Sequence, residues 1–408
     1  GARDNLGAKL LAAAEKLEAK DDRTFTLDFK KPFGMVLDAF SKPSSIPLFV
    51  MPEKVAQTDP FKQITDMTGS GPYMFAADRY RPGEKVVYLK NPYYVPRNEP
   101  ADGTAGGKHV YVDELDWVIL RDAQTVANAI EKGEVDVVEM VPNEQYSVLK
   151  KNPDIQLLNQ TGKQSAMLHL NHAIPPFNNP KIAQAALMAI NQAALQRAQI
   201  VHKELWNTCT SIYPCGSLYA SDKTDYFTGK PQFKRAQELL KEAGYDGTPV
   251  VLMLPADMPS LNKYPPVMAE LLRRAGFKVD LQSMDWATLV TRRTKSSPVS
   301  EGGWNGFITF WNQADTFNPL FFAPLTGSGL KGWFGWTDDP KLEALKDEFV
   351  GTSDLAKRKE LAEGIQLRVM DSGVYGMLGE AKPIIALRKN ISGLVEAPIS
   401  VFWGLKKD

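Results

Sequence analysis

Four groups of residues have the types and spacing to do chemistry. His169 and His172 form an H-x-x-H string. It overlaps the apolar stretch Ser165–Leu170, which reads as a strand. Strand positions three apart face opposite sides, so one metal ion cannot easily reach both rings, and no metal site is expected. Cys209 and Cys215 stand in CTSIYPC. Their spacing does not match a four-ligand zinc site, which leaves two buried thiols or a local disulfide. Pro214 and Gly216 mark a turn that can bring the ends together, and the disulfide is the expectation. In the chain-entropy model it contributes about 2 kcal/mol, and it implies an oxidising compartment. Arg292-Arg293 with Lys295 follows an apolar helical stretch, where a guanidinium fork could take a ligand carboxylate or the cluster could serve as a charged helix end. Phe307, Phe310 and Trp311 lie on one apolar run, Phe307–Trp311, and Asp315 follows it in the chain. They could line a pocket or a buried core, and Asp315 could pair with an ammonium group or cap a helix.

Strings that mark common catalysts are missing. The chain has no G-x-S-x-G elbow, no Walker A loop, no H-E-x-x-H and no G-x-G-x-x-G. Gly69-Ser70-Gly71 is too short for a phosphate loop and enters a strand.

These residues need elements to hold them. Asn5–Ala19 reads as a helix and Thr24–Lys30 as a strand. Val110–Leu120, a helix capped by Asp122 and stopped by Gly133, and Val135–Val141 read as a βαβ unit. Asn179-Pro180 starts a helix with a buried stripe from Ile182 to Ile190. Two helix–Gly–strand units follow, Phe233–Ala243 into Val250–Leu254 and Val267–Ala275 into Lys278–Met284. Phe307–Trp311 is a buried strand and Leu355–Met370 an amphipathic helix, with late strands at Pro383–Leu387 and Val401–Trp403. The alternation predicts α/β layers with largely parallel pairing in the middle of the chain.

Composition narrows the class. The chain has 408 residues, enough for two or three domains with sizeable cores. Lys+Arg and Asp+Glu both number 48, so the basic excess of a nucleic-acid surface is absent. No stretch reaches the ~18 consecutive apolar residues of a membrane span.

Six blocks, in order, resemble one family. Gly69–Tyr94 carries GSGPY, then PGE and NPYY, and is similar to the "GTGPY … PGE … NP.Y" block of the family 5 extracellular solute-binding proteins, the dipeptide-, oligopeptide- and nickel-binding receptors of ABC importers. Ala129–Asp136 resembles its "L..GEID" element, Leu168–Ile190 its "N … PFDD.RVRQALNYAID" segment and Phe233–Tyr245 its "A..LL.EAGY". Trp311–Pro319 resembles "W..D..DP", and Leu355–Asp371 the "R..L….Q.I..D" helix. The family's "LAESW" and "VKFHDG.P.TA.D" elements have no counterpart here.

The resemblance implies an α/β, two-lobed periplasmic-binding-protein-like fold (type II, cluster C), with lobe one incomplete at its N-terminus. Lobe one would hold 1–165 and 381–408, and lobe two 166–380. The crossings would lie near Gln164–His172 and Met377–Ile385. It implies a monomeric, non-enzymatic receptor without a cofactor, in the periplasm. The receptor would close its lobes on a peptide-like solute and deliver it to a membrane permease. A nickel complex, opine, sugar or haem is the alternative cargo, and an enzyme of unseen class the remote alternative. By the same resemblance Trp311, Asn312, Phe310 and Asn171 contact the ligand and Asp315 anchors its amine. Asp315 stands one residue further from Trp311 than the family pattern has it, and Asn318 replaces the final Asp.

Overall fold

The structure, a computed structural model, describes residues 4–42, 47–59, 62, 64–159 and 162–408. The chain divides into two compact units. One is Gly1–Ile46 with Lys163–Ala381; the other is Pro47–Gly162 with Lys382–Asp408. The N-terminal residues therefore leave the lobe in which the sequence placed them, and packing gives the reason. Leu6, Ala13, Phe33, Met35 and Ala39 are buried in the same apolar cluster as Leu168, Leu252 and Ile365. The Asn5 carboxamide donates to the Phe322 carbonyl at 2.9 Å, and the Gly34 N–H to the Val350 carbonyl at 2.9 Å. Asn5 and its partner are 317 residues apart, a pairing that no local pattern announces.

Among the described residues, the larger unit centres on a six-stranded sheet. Its order is Val279–Met284, Val250–Pro255, Gly306–Asn312, Gln164–Leu170, Tyr375–Ala381 and Trp206–Asn207. The first three strands are parallel, as the helix–Gly–strand units predict. Val250–Met253 is buried at every position, the pattern of a strand covered on both faces. Gln164–Leu170 is antiparallel to both of its neighbours. The sheet is thus mixed, not largely parallel.

Two further expectations change. The first helix covers only Asn5–Ala13; Ala14–Asp21 is a strand paired with Thr24–Phe29, because the Asp21 carboxylate accepts from the Arg23 N–H at 2.8 Å and sets the turn between them. The expected βαβ unit has its helix, Ala123–Lys132, capped as read: Asp122 accepts from the Thr125 N–H at 2.7 Å. Its strands join different sheets, however. Glu114–Val118 pairs with Lys85–Lys90, and Val137–Val138 with the returning Ile385–Arg388. The C-terminal chain takes the edge that a βαβ partner would have occupied. The last strand pair is Ile391–Ser392 with Lys406–Lys407, and Val401–Trp403 is not a strand.

Candidate functional site

Strand alternation sorts the aromatic run. Phe307 and Trp311 are four apart and share a face of Gly306–Asn312; Ile308 and Phe310 share the other. Phe307 sits in a second apolar cluster with Met253, Trp304, Trp333, Phe334 and Trp336, against which Trp311 packs. Ile308 belongs to the main core, and Phe310 packs on it. Phe310 therefore does not share the Trp311 wall.

His169 stands at the centre of that wall, directly opposite Phe307 in one neighbouring strand and Tyr375 in the other. Its ring stacks on Phe307 at 4.9 Å and lies 5.0 Å from Trp333 and 6.0 Å from Tyr375. The Trp311 indole N–H donates to His169 Nε2 at 3.3 Å. Burial disfavours the charged imidazole, the Arg293 guanidinium adds to the effect, and the pKa falls to about 3. A neutral ring with Nε2 as acceptor agrees with the indole bond. Trp311 also meets Phe322 edge-on at 5.0 Å, which fixes its plane.

His172 takes no part in this group. Its Nε2 lies 3.4 Å from the Val374 carbonyl, and its backbone N–H donates to Gly335 at 2.7 Å. Gly335 has φ +112°, and a Cβ there would come within 2.8 Å of the Leu170 carbonyl. Only glycine lets this loop approach the strand end, and the loop delivers Trp333, Phe334 and Trp336 to the cluster.

The two arginines part company. Arg292 spends its guanidinium on the Gly302 and Gly303 carbonyls, with Nη2 2.7 Å from the latter, and on the Gln282 carboxamide at 2.6 Å. The Arg293 guanidinium carbon lies 5.2 Å from the Phe334 ring centroid, 5.7 Å from Trp333 and 6.0 Å from Phe307. A cation over ring faces is attracted by their quadrupoles. The wall thus carries a positive charge beside a neutral histidine.

Beyond Trp311 the strand ends in the one-turn helix Gln313–Thr316, which holds Asp315 at 4% exposure. Asn312 precedes the turn, and its side-chain oxygen accepts from Gln164 Nε2 at 3.0 Å. The Gln313 N–H donates to the Lys163 carbonyl at 2.9 Å. Asn318 turns the chain once more by accepting from the Leu320 N–H at 2.9 Å. Asn171 is fully buried and structural: its Nδ2 donates to the Trp304 carbonyl at 2.8 Å and its oxygen accepts from the Ala173 N–H at 3.0 Å. Both ends of its amide are bonded inside the protein.

Cys209 and Cys215 form a disulfide. Their sulfur atoms and a Glu380 carboxylate oxygen lie within 4.8 Å of one another, a spacing that metal ligands could use. The sulfurs are bonded to each other and leave no thiolate donor.

Sequence reasoning missed Trp333, Phe334, Trp336 and Tyr375 in this group. The GWFGW string at 332–336 was the available signal.

Residues 3–333 match the model of the bacterial extracellular solute-binding proteins, family 5, middle region. The probable peptide ABC transporter periplasmic-binding protein of Sinorhizobium fredii is 34% identical over 98% of this chain and 76% of its own. A dipeptide-binding protein of Pseudoalteromonas sp., solved with Met-Leu, has the same fold with a TM-score of 0.78 at 21% identity, over 99% of this chain and 77% of its own. A periplasmic binding protein of A. tumefaciens, solved with mannopinic acid, superposes with a TM-score of 0.78 at 18% identity, over 100% and 80%. Among the described residues no helix is long and apolar enough to cross a membrane.

Proposed function

The chain belongs to the bacterial extracellular solute-binding proteins of family 5, and from that premise we propose that it captures a small peptide or peptide-like solute outside the cytoplasm and delivers it to an ABC permease. The observation that carries the reading is the segment Trp311–Asp315. It puts an aromatic residue at the end of a strand and a carboxylate in the one-turn helix that follows. Trp311 provides a flat apolar surface held by His169 and Phe322, and Asp315 the charge for an ammonium group. Arg293 gives the aromatic wall a positive end suited to a carboxylate. A zwitterionic solute matches both signs. The disulfide fits a periplasmic setting. The chain acts as a monomer without nucleic acid or cofactor.

A second reading keeps the fold and changes the cargo to an opine or another non-peptide solute. It is favoured by the extra residue between Trp311 and Asp315 and by Asn318, whose side chain shapes the turn.

A thermal-melt screen separates the two. Di- to pentapeptides, opines, sugars and nickel chelates are each added to the purified chain. A ligand at 100 times its dissociation constant stabilises the fold by about 2.7 kcal/mol. Peptide shifts that vanish in Asp315→Ala support the first reading; shifts with opines alone support the second. A cooperative melt that no compound moves contradicts both.

A further inference from the structure

Glu380 is a buried carboxylate that the aromatic wall does not use. Its side chain is 0% exposed. It sits just after a bulge in Tyr375–Ala381. Met377 pairs with Met167 and Gly379 with Ala166, so Leu378 is the extra residue. Gly379 has φ +105°, and a Cβ there would come within 2.9 Å of the Gln196 side chain and 3.0 Å of the Asn207 carbonyl. Bulges re-aim the side chains that follow them, and here the residue re-aimed is Glu380.

Three groups meet its carboxylate. The Cys215 N–H donates to Oε1 at 2.7 Å, the Asn207 carboxamide donates to Oε2 at 2.7 Å, and the Lys163 ammonium lies 3.2 Å from Oε2. Lys163 Nζ also donates to the Cys215 carbonyl at 2.7 Å. Lys163 and Ala381 are the residues at which the chain enters and leaves this unit, and Gln164 pairs directly with Ala381. Lys163 is bonded to Gln313 as well: its carbonyl accepts from the Gln313 N–H at 2.9 Å. Gln313 opens the turn that carries Asp315.

The rest of the disulfide loop has other anchors. Gln192 holds Cys209 through both its N–H, at 2.9 Å, and its carbonyl, at 2.6 Å. Gln366 accepts from Ser211 Oγ at 2.8 Å and from the Ile212 N–H at 3.1 Å, and Tyr213 donates to the Ala362 carbonyl at 3.0 Å. The Cys215 end is held by Glu380, by Lys163 and by its bond to Cys209.

We propose that Glu380 is a positioning residue. With the disulfide-closed loop and Lys163, it clamps two of the chain's passages between units and the turn bearing Asp315 into one network. The solute site then depends on a bond among residues that never touch solute. The link to binding rests on the receptor reading above; the clamp itself does not.

Hydrogen exchange on the full chain tests it without any ligand. In Glu380→Ala, and separately in the Cys209→Ser, Cys215→Ser double variant, the amides of Gln164, Gln313 and Ala381 should exchange about tenfold faster, because losing one partner of a buried hydrogen bond costs roughly that factor or more. Val251 and Leu252, in the far half of the sheet, should be unchanged. If Glu380→Ala loosens the whole unit, Glu380→Gln decides. It keeps an acceptor for the Cys215 N–H and removes the charge facing Lys163. Faster exchange confined to Gln164, Gln313 and Ala381 supports the clamp. Unchanged exchange at these amides, or a rise of equal size at Val251, overturns it. A solute screen without hits would sink the receptor reading and leave the exchange result standing.

Discussion

The two units solve the problem of burial differently. In the larger one, Val250–Met253 and Gly306–Thr309 are buried at every position, and the sheet is covered on both faces. In the smaller one, Glu114–Val118 is mostly open: Trp117 is 40% exposed and Val118 43%. Buried sheets force polar groups into partnerships, since an unpaired one is costly there. That is why the larger unit holds the neutral His169, the ring-stacked Arg293 and the fully bonded Glu380. The smaller unit's ion pairs, such as Arg79–Glu114, lie at the surface, where each contributes little. The difference teaches that the larger unit is the more deeply buried and chemically committed part of the molecule.

The contrast can be broken by acid. His169 has its pKa lowered from 6.5 to about 3 by burial and the Arg293 charge. A depressed folded value means that the unfolded chain takes up the proton first. The contribution is complete above pH 6.5 and is lost as pH falls toward 3, to a total of about 5 kcal/mol. Melting temperatures followed from pH 7 to 4 should fall less steeply in His169→Gln than in the native chain. Parallel curves would show that the histidine is not held neutral by its surroundings.

Core truncation sharpens the same contrast. Phe307→Ala should cost about 3–4 kcal/mol in chemical denaturation, as a buried aromatic lost from a packed cluster does. A loss under ~1 kcal/mol would mean that the aromatic wall is loosely packed. Removing the disulfide by the double serine change should cost about 2 kcal/mol for its short loop. Trp117→Ala, on the open strand, should stay within about 0.5 kcal/mol. A large loss there would place structural weight on the smaller unit that its exposure does not suggest.

Much of this was written in local sequence. The caps Asp122 and Asn179 and the disulfide rest on short-range chemistry and stand as read, and the strand read at Phe307–Trp311 extends by one residue at each end. What was not legible depends on distant partners. The first helix docks on Phe322, and the Val137–Val138 strand loses its expected neighbour to a segment almost 250 residues later. Arg292 and Arg293 are chemically identical in the sequence. Only the Gly302–Gly303 carbonyls and the Trp333 loop decide what each of them meets. Asn171 looked equally able to bind solute or to start a loop, and its bond to the Trp304 carbonyl, 133 residues away, was not legible. The aromatic wall was half visible, because Trp311 sits in a family-like string whereas Trp333 and Tyr375 come from elsewhere in the chain.

The central claim is that the Trp311–Asp315 segment of the larger unit holds the solute. Calorimetric titration of Met-Leu and of its N-acetylated twin, into the native chain and into Asp315→Asn, addresses it most directly. The account predicts saturable binding of the free dipeptide to the native chain alone, with acetylation and the Asn substitution each abolishing it. Equal binding of both peptides to both proteins would contradict it.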